Sequence, residues 1–163
     1  MKRQKVILLF GGNEGNTARI FSEAENKIQC NIGRIINKSR FYQTGAWGPV
    51  PQQDYLNCAI VIETIFSPLI VLEKILAIEL QMGRKRTVKY GPRIIDIDML
   101  FYGTLEMQHP KLIIPHPHIA ERRFVLVPCF DIIPQFIHPV YNQTIANLLM
   151  NCKDKLAVNV WKQ

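Results

Sequence analysis

Between residues 6 and 102 the spacing of apolar residues switches in the order strand, helix, strand, strand, helix, strand, an order few folds accept. The run Val6–Phe10 reads as a buried strand that ends at Gly11-Gly12. From about Asn16, the residues Ile20, Phe21, Ala24, Ile28 and Ile32 recur at helical spacing, with Gly33 as the stop. Residues 34–42 form a second strand, a turn-rich segment occupies 43–54, and residues 55–64 form a third strand. Ser67 caps and Pro68 opens a second helix running to Met82, with Gly83 just past its end. A fourth strand covers about 94–102. The expected fold is α/β (α+β) with a βαββαβ, ferredoxin-like core. Beyond residue 103 the chain reads as Pro-rich and irregular, with a short helix near 144–151. No repeat or boundary divides it, so one domain over 1–163 is expected.

Charge narrows the partners. The 163 residues carry 20 Lys and Arg against 13 Asp and Glu, a formal charge of +7, which favours an anionic ligand such as nucleic acid or a phosphorylated small molecule. The apolar run at 6–10 is too short for a signal peptide, and no stretch reaches the length of a membrane span. Four scattered cysteines without a CxxC pair read as reduced thiols of a cytoplasmic protein.

The sequence GPRIIDIDM (91–99) places two aspartates on one side of the fourth strand, with Cα atoms roughly 7 Å apart. Arg93, Ile95, Ile97, Met99 and Phe101 take the other side. Such a pair is either a solvated strand face or a pair of ligands for a hard cation such as Mg²⁺. The preceding GRKRTVKYGPR decides between them. Arg84, Lys85, Arg86, Lys89 and Arg93 lead straight into the carboxylates, and a metal with guanidinium groups attracts a polyphosphate. Glu79 lies on an otherwise apolar ridge in the last helical turn, where the helix dipole disfavours an anion; it is a ligand contact or a partly exposed helix acid. Tyr55 and Asn57 share a face of the third strand, as a stacking ring and an edge-reading amide for a flat heterocycle, or as a boundary Tyr and a surface Asn. In PHPHIAERRF (115–124), His116 and His118 lack a third ligand spaced for zinc, and a phosphate-binding His with Arg122 fits better. No phosphate-binding P-loop motif is present, and GGNEGN lacks dinucleotide-loop spacing.

KYGPRIIDIDML resembles the signature of the 6-hydroxymethyl-7,8-dihydropterin pyrophosphokinase family. FGGN, SRFYQT, QDYLNCA, IELQMGRKR and IPHPHIAERRFVLVP resemble further family segments, in order, across nearly the whole chain. The resemblance implies a three-layer α-β-α sandwich around the ferredoxin-like core. It implies transfer of pyrophosphate from ATP to the hydroxymethyl group of 6-hydroxymethyl-7,8-dihydropterin in folate biosynthesis, releasing AMP. On this resemblance Asp96 and Asp98 hold two Mg²⁺ ions and, with Arg84 and Arg93, form the catalytic set. Glu79, Arg84, Arg86, Lys89, His116 and Arg122 face ATP; Thr44 and Asn57 hydrogen-bond the pterin between Tyr55 and Phe124. A monomer without nucleic-acid or membrane partners is expected, and residues 84–92 are expected to close over the nucleotide. Lys89, Tyr90, Gly12 and the Gly45-Ala46-Trp47 stretch depart from the family pattern. The alternative is an RNA-binding RRM, which shares βαββαβ order but requires an aromatic motif on its third strand that YLNCAIVIE lacks.

Overall fold

The computed structural model of the protein describes residues 2–46, 48–85, 89 and 91–163. The elements in chain order are β1 (Gln4–Gly12), α1 (Thr17–Asn31), β2 (Arg34–Lys38), β3 (Tyr42–Thr44), β4 (Tyr55–Thr64), α2 (Pro68–Gln81), β5 (Asp96–Tyr102), β6 (Met107–His109), β7 (Leu112–Ile114), α3 (Arg123–Ile132), α4 (Ile145–Asn151) and β8 (Val158–Val160). The main sheet runs β5-β1-β4-β3-β8, with β2 also on β4, and β6 pairs with β7 separately. The pairings of β1 with β4 and β5, and of β4 with β2 and β3, are antiparallel. Four of the expected strands and both expected helices give the ferredoxin-like core.

Strand alternation builds two cores from one sheet. Val6, Leu8 and Phe10 of β1, with Cys58, Ile60 and Ile62 of β4, pack against Phe21, Ala24 and Ile28 of α1 and Val71, Ile75 and Ile78 of α2. Ile7, Leu9, Ala59 and Val61 point the other way, onto Val125, Leu126 and Cys129 of α3 and Ile145 and Leu148 of α4. The sandwich is therefore α-β-α. Both sheet faces are covered by helices, which removes the open sheet surface on which an RRM stacks bases.

The structure corrects several local expectations. The stretch 34–42 is two strands. At Ser39 the backbone N–H still donates to the Ala59 carbonyl at 2.9 Å, but the hydroxyl takes the Ala59 N–H at 2.9 Å in place of a ladder carbonyl, and β2 and β3 are separated there. Gln43 and Thr44, read as turn, complete β3. The region beyond 103 is more ordered than expected: α3 was hidden by Pro128 in its interior, yet the helix buries Val125, Leu126 and Cys129. A register shift opposite Ile7 and Leu8 bulges β5, so Phe101 joins the α3 side while Ile97 and Met99 stay on the α1 side. Arg93 also leaves the apolar face; it precedes β5 and reaches the Asp96 carboxylate. Ser67 occupies the N-cap of α2 without a side-chain hydrogen bond.

Candidate active site

At the α3 side of the sheet, the ends of β1, β4 and β5 bring Gly11, Asn57, Asp96 and Asp98 to one opening. Gly11 pairs with both Asn57 and Asp96 across β1, so the amide and the first carboxylate flank a residue without a side chain. The resulting cavity, about 280 Å³, is lined by Thr44, Tyr55, Asn57, Arg93, Asp96, Asp98, His116, Arg122 and Phe124, with Leu9, Gly11, Gly45 and Leu156. A second cavity of about 320 Å³ lies beyond the carboxylates and includes Glu79, Arg84 and Lys111, with Leu72, Leu76 and Ile113. Asp96, Asp98 and His116 line both. The aspartates stand at the junction of the two compartments.

The end of α2 shows how the arginines arrive. Gly83 adopts φ +88°, a left-handed conformation that glycine takes without penalty. The Gly83 N–H donates to the Leu80 carbonyl and the Arg84 N–H to the Glu79 carbonyl, both at 3.0 Å, a Schellman ending that folds Arg84 back over Glu79. Glu79, only 3% exposed, accepts the Ile97 N–H at 2.7 Å and pairs with the Arg84 guanidinium at 2.5 Å. Those two donors, supplied by other segments, offset the unfavourable helix-end position. Burial pushes the Glu79 carboxyl above its usual range despite the Ile97 and Arg84 contacts.

Asp96 is gripped from both sides, by Arg84 Nη1 at 2.8 Å and Arg93 Nη1 at 2.7 Å. Asp98 has no Lys or Arg within ion-pair distance among the described residues. Burial, then the charges of Asp96 and Glu79, push its carboxyl up to about 7. Two neighbouring carboxylates, one of them without a Lys or Arg ion pair among the described residues, suit a hard divalent cation. Burial and the nearby Arg122 lower His116 to about 4. Its Nδ1 accepts the His118 N–H at 3.3 Å, so the neutral ring carries its proton on Nε2.

On the other side of the first cavity, Asn57 is 3% exposed and its Nδ2 donates to Thr44 Oγ1 at 3.0 Å. Tyr55 and Phe124 line the same space. The Tyr55 hydroxyl reaches Gln52 Oε1 at 2.9 Å and the Gly91 carbonyl at 3.1 Å, so this ring is held at its polar end. Most of the expected set thus converges. Lys89 is exposed and lines neither cavity, and Arg86, with much of the segment expected to close, lies outside the described residues. The His118 ring meets Glu121 at 3.2 Å and belongs to neither cavity. Sequence reasoning missed Lys111, which sits in the β6–β7 turn with no motif to mark it, and Asn13, whose place after the glycine pair was the available signal.

Fold and site together define an α/β protein with a ferredoxin-like core and a carboxylate pair between two cavities. The family model described as 7,8-dihydro-6-hydroxymethylpterin-pyrophosphokinase (HPPK) matches residues 7–134. The chain belongs to this family. It is 41% identical over 144 residues to a 2-amino-4-hydroxy-6-hydroxymethyldihydropteridine pyrophosphokinase from Synechocystis, covering 88% of this chain and 73% of that one. It is 37% identical over 134 residues to the protein of the same name from Methylorubrum extorquens, covering 82% and 85%. A crystal structure of Plasmodium falciparum HPPK-DHPS with pteroate superposes with a TM-score of 0.76 at 19% identity, over 91% of this chain and 44% of that one. At that identity the likeness concerns the fold, and the chain covers less than half the length of that HPPK-DHPS chain.

Proposed function

We propose that the protein transfers the β,γ-pyrophosphate of ATP to the hydroxymethyl oxygen of 6-hydroxymethyl-7,8-dihydropterin, releasing AMP. The observation that carries this reading is the placement of Asp96, Asp98 and His116 on the wall shared by two compartments. One compartment has the chemistry for a flat heterocycle. Thr44 retains a hydroxyl proton after accepting from Asn57, and the Asn57 amide retains an oxygen and a second proton, which suits the donor and acceptor edge of a pterin. Tyr55 and Phe124 supply ring faces. The other compartment, with Arg84, Lys111 and the Nε2–H of His116, suits a nucleotide's phosphates.

Asp96 and Asp98 would hold Mg²⁺, two ions by the family resemblance, which when bound neutralise phosphate charge and orient the attacking and leaving oxygens. The triphosphate would compete with Asp96 for Arg84 and Arg93, freeing carboxylate oxygens and recruiting both guanidiniums to the charge that spreads during transfer. The hydroxymethyl oxygen attacks the β-phosphorus and gives up its proton to solvent, while the bond from that phosphorus to the oxygen shared with the α-phosphate breaks and AMP leaves with that oxygen. Positioning and electrostatics supply the rate enhancement without a dedicated strong base. The protein is expected to act as a monomer in the cytoplasm, independently of nucleic acid and membrane. Coupled detection of AMP, with ATP and Mg²⁺ and with or without the hydroxymethylpterin, tests the reading: release must require the pterin, and pterin-independent hydrolysis or no turnover would refute it.

A further inference from the structure

Behind the Tyr55 wall runs a hydrogen-bond circuit to which the ligand contacts above give no role. Asn13, 5% exposed, grips the backbone of Arg93 twice: its N–H donates to the Arg93 carbonyl, and its Oδ1 accepts the Arg93 N–H, each at 3.0 Å. Because Oδ1 is committed there, Nδ2 must face the other way, where it donates to the Gln53 carbonyl at 2.9 Å and to Gln52 Oε1 at 3.0 Å. Gln52 must therefore present oxygen, not nitrogen, at this point. The same oxygen is 2.9 Å from the Tyr55 hydroxyl, which is consequently a donor. That hydroxyl has one proton for two acceptors, Gln52 Oε1 and the Gly91 carbonyl. The circuit closes through Arg93, whose guanidinium lies 6.0 Å from the Tyr55 ring centre and donates to Asp96 at 2.7 Å.

Resting on the functional reading above, we propose that Asn13 and Gln52 are positioning residues for the transfer: through a circuit of fixed polarity they hold Arg93 at Asp96 and Tyr55 at the cavity wall. Neither side chain lines the cavity, so neither contacts substrate in this arrangement. What position 52 must provide to Asn13 and Tyr55 is an acceptor, and what position 13 must provide is a donor and an acceptor at once. A glutamate at 52 keeps the acceptor that Asn13 and Tyr55 use, at the loss of the Gln52 Nε2 donation to the Val50 carbonyl at 3.4 Å, whereas an aspartate at 13, although isosteric, offers only acceptors to Gln52 and the Gln53 carbonyl.

The test compares Gln52→Ala, Gln52→Glu and Asn13→Asp by steady-state kinetics, well below each variant's melting temperature, and by hydrogen exchange of the Arg93 amide in the free protein. Gln52→Ala and Asn13→Asp should lower kcat about tenfold or more, with KM for ATP changing less than about threefold, and should speed exchange at Arg93. Gln52→Glu should stay within about threefold of wild type in kcat and keep Arg93 protected. Equal losses in Gln52→Ala and Gln52→Glu, or wild-type kcat in Asn13→Asp, would overturn the proposal, because a merely structural contact moves melting temperature without this polarity rule. An inactive wild-type protein would refute the functional reading instead, and the exchange rates would still decide whether the circuit holds Arg93.

Discussion

Replacing Glu79 with alanine tests how the aspartate-bearing strand is attached to the rest of the site. Both of its contacts, from the Ile97 N–H and from Arg84, converge on Oε1. Alanine leaves the Ile97 N–H without a partner, a loss of about 1–3 kcal/mol, and deprives a largely buried Arg84 of one of its two carboxylates. Together the loss should be about 3–5 kcal/mol, the range for breaking a buried pair from one side. For a chain of this size that corresponds to a fall in Tm of roughly 10–15 °C. Glutamine keeps an oxygen in the same place without a charge to desolvate, and burial already disfavours the charge of Glu79. Glu79→Gln should therefore cost less than about 1.5 kcal/mol. Urea unfolding at constant m-value measures both. Alanine within about 1 kcal/mol of wild type, or glutamine as damaging as alanine, would refute the reasoning.

Asp96→Ala and Asp98→Asn should each reduce turnover at saturating Mg²⁺ by at least about hundredfold, measured as AMP release; near-normal rates in both would remove the metal assignment. Without ligands Asp98→Asn should be more stable than wild type at neutral pH and above. The raised folded-state pKa of Asp98, about 7, means its stabilising contribution is full below the ordinary carboxylate pKa and is lost as pH rises through 7; the advantage should therefore grow from pH 4 to 8 in thermal melts. Asn57→Ala should weaken pterin binding about ten- to hundredfold with little change for ATP, by calorimetry, and equal losses for both ligands would place Asn57 outside the pterin pocket. His116 should titrate near 4 in the free protein and move upward when Mg-ATP supplies negative charge, as followed by NMR; an unchanged value would separate it from the phosphates.

The core was legible because its two periods are clean. β4 matches the expected 55–64, and α1 and α2 follow their apolar spacing and end at glycine. That the two aspartates share a strand face, and that Asn57 and Tyr55 share another, was legible from strand alternation, whereas their roles were given only by the family resemblance. Less visible were features set by tertiary packing. Pro128 disguised α3, whose buried face is defined only when β1 and β4 are in place. The bulge in β5 has no composition signal, and it alone moves Phe101 across the sheet. Asn13 and Gln52 are ordinary loop residues until Arg93 and Tyr55 approach from 80 and 3 positions away. Glu79 was marked as out of place, but its partners at Arg84 and Ile97 come from a helix ending and a strand that only the fold brings together.

The most direct measurement of the central claim is ³¹P NMR of a reaction containing the protein, ATP, Mg²⁺ and 6-hydroxymethyl-7,8-dihydropterin. On the proposed function, with the nucleotide's phosphates on one side of Asp96 and Asp98 and the pterin on the other, the β-phosphorus is the one transferred to the pterin oxygen. AMP should then accumulate in equal amount with a pterin diphosphate, and both should disappear in Asp96→Ala. Formation of ADP with a pterin monophosphate, or of free phosphate without pterin modification, would contradict the account.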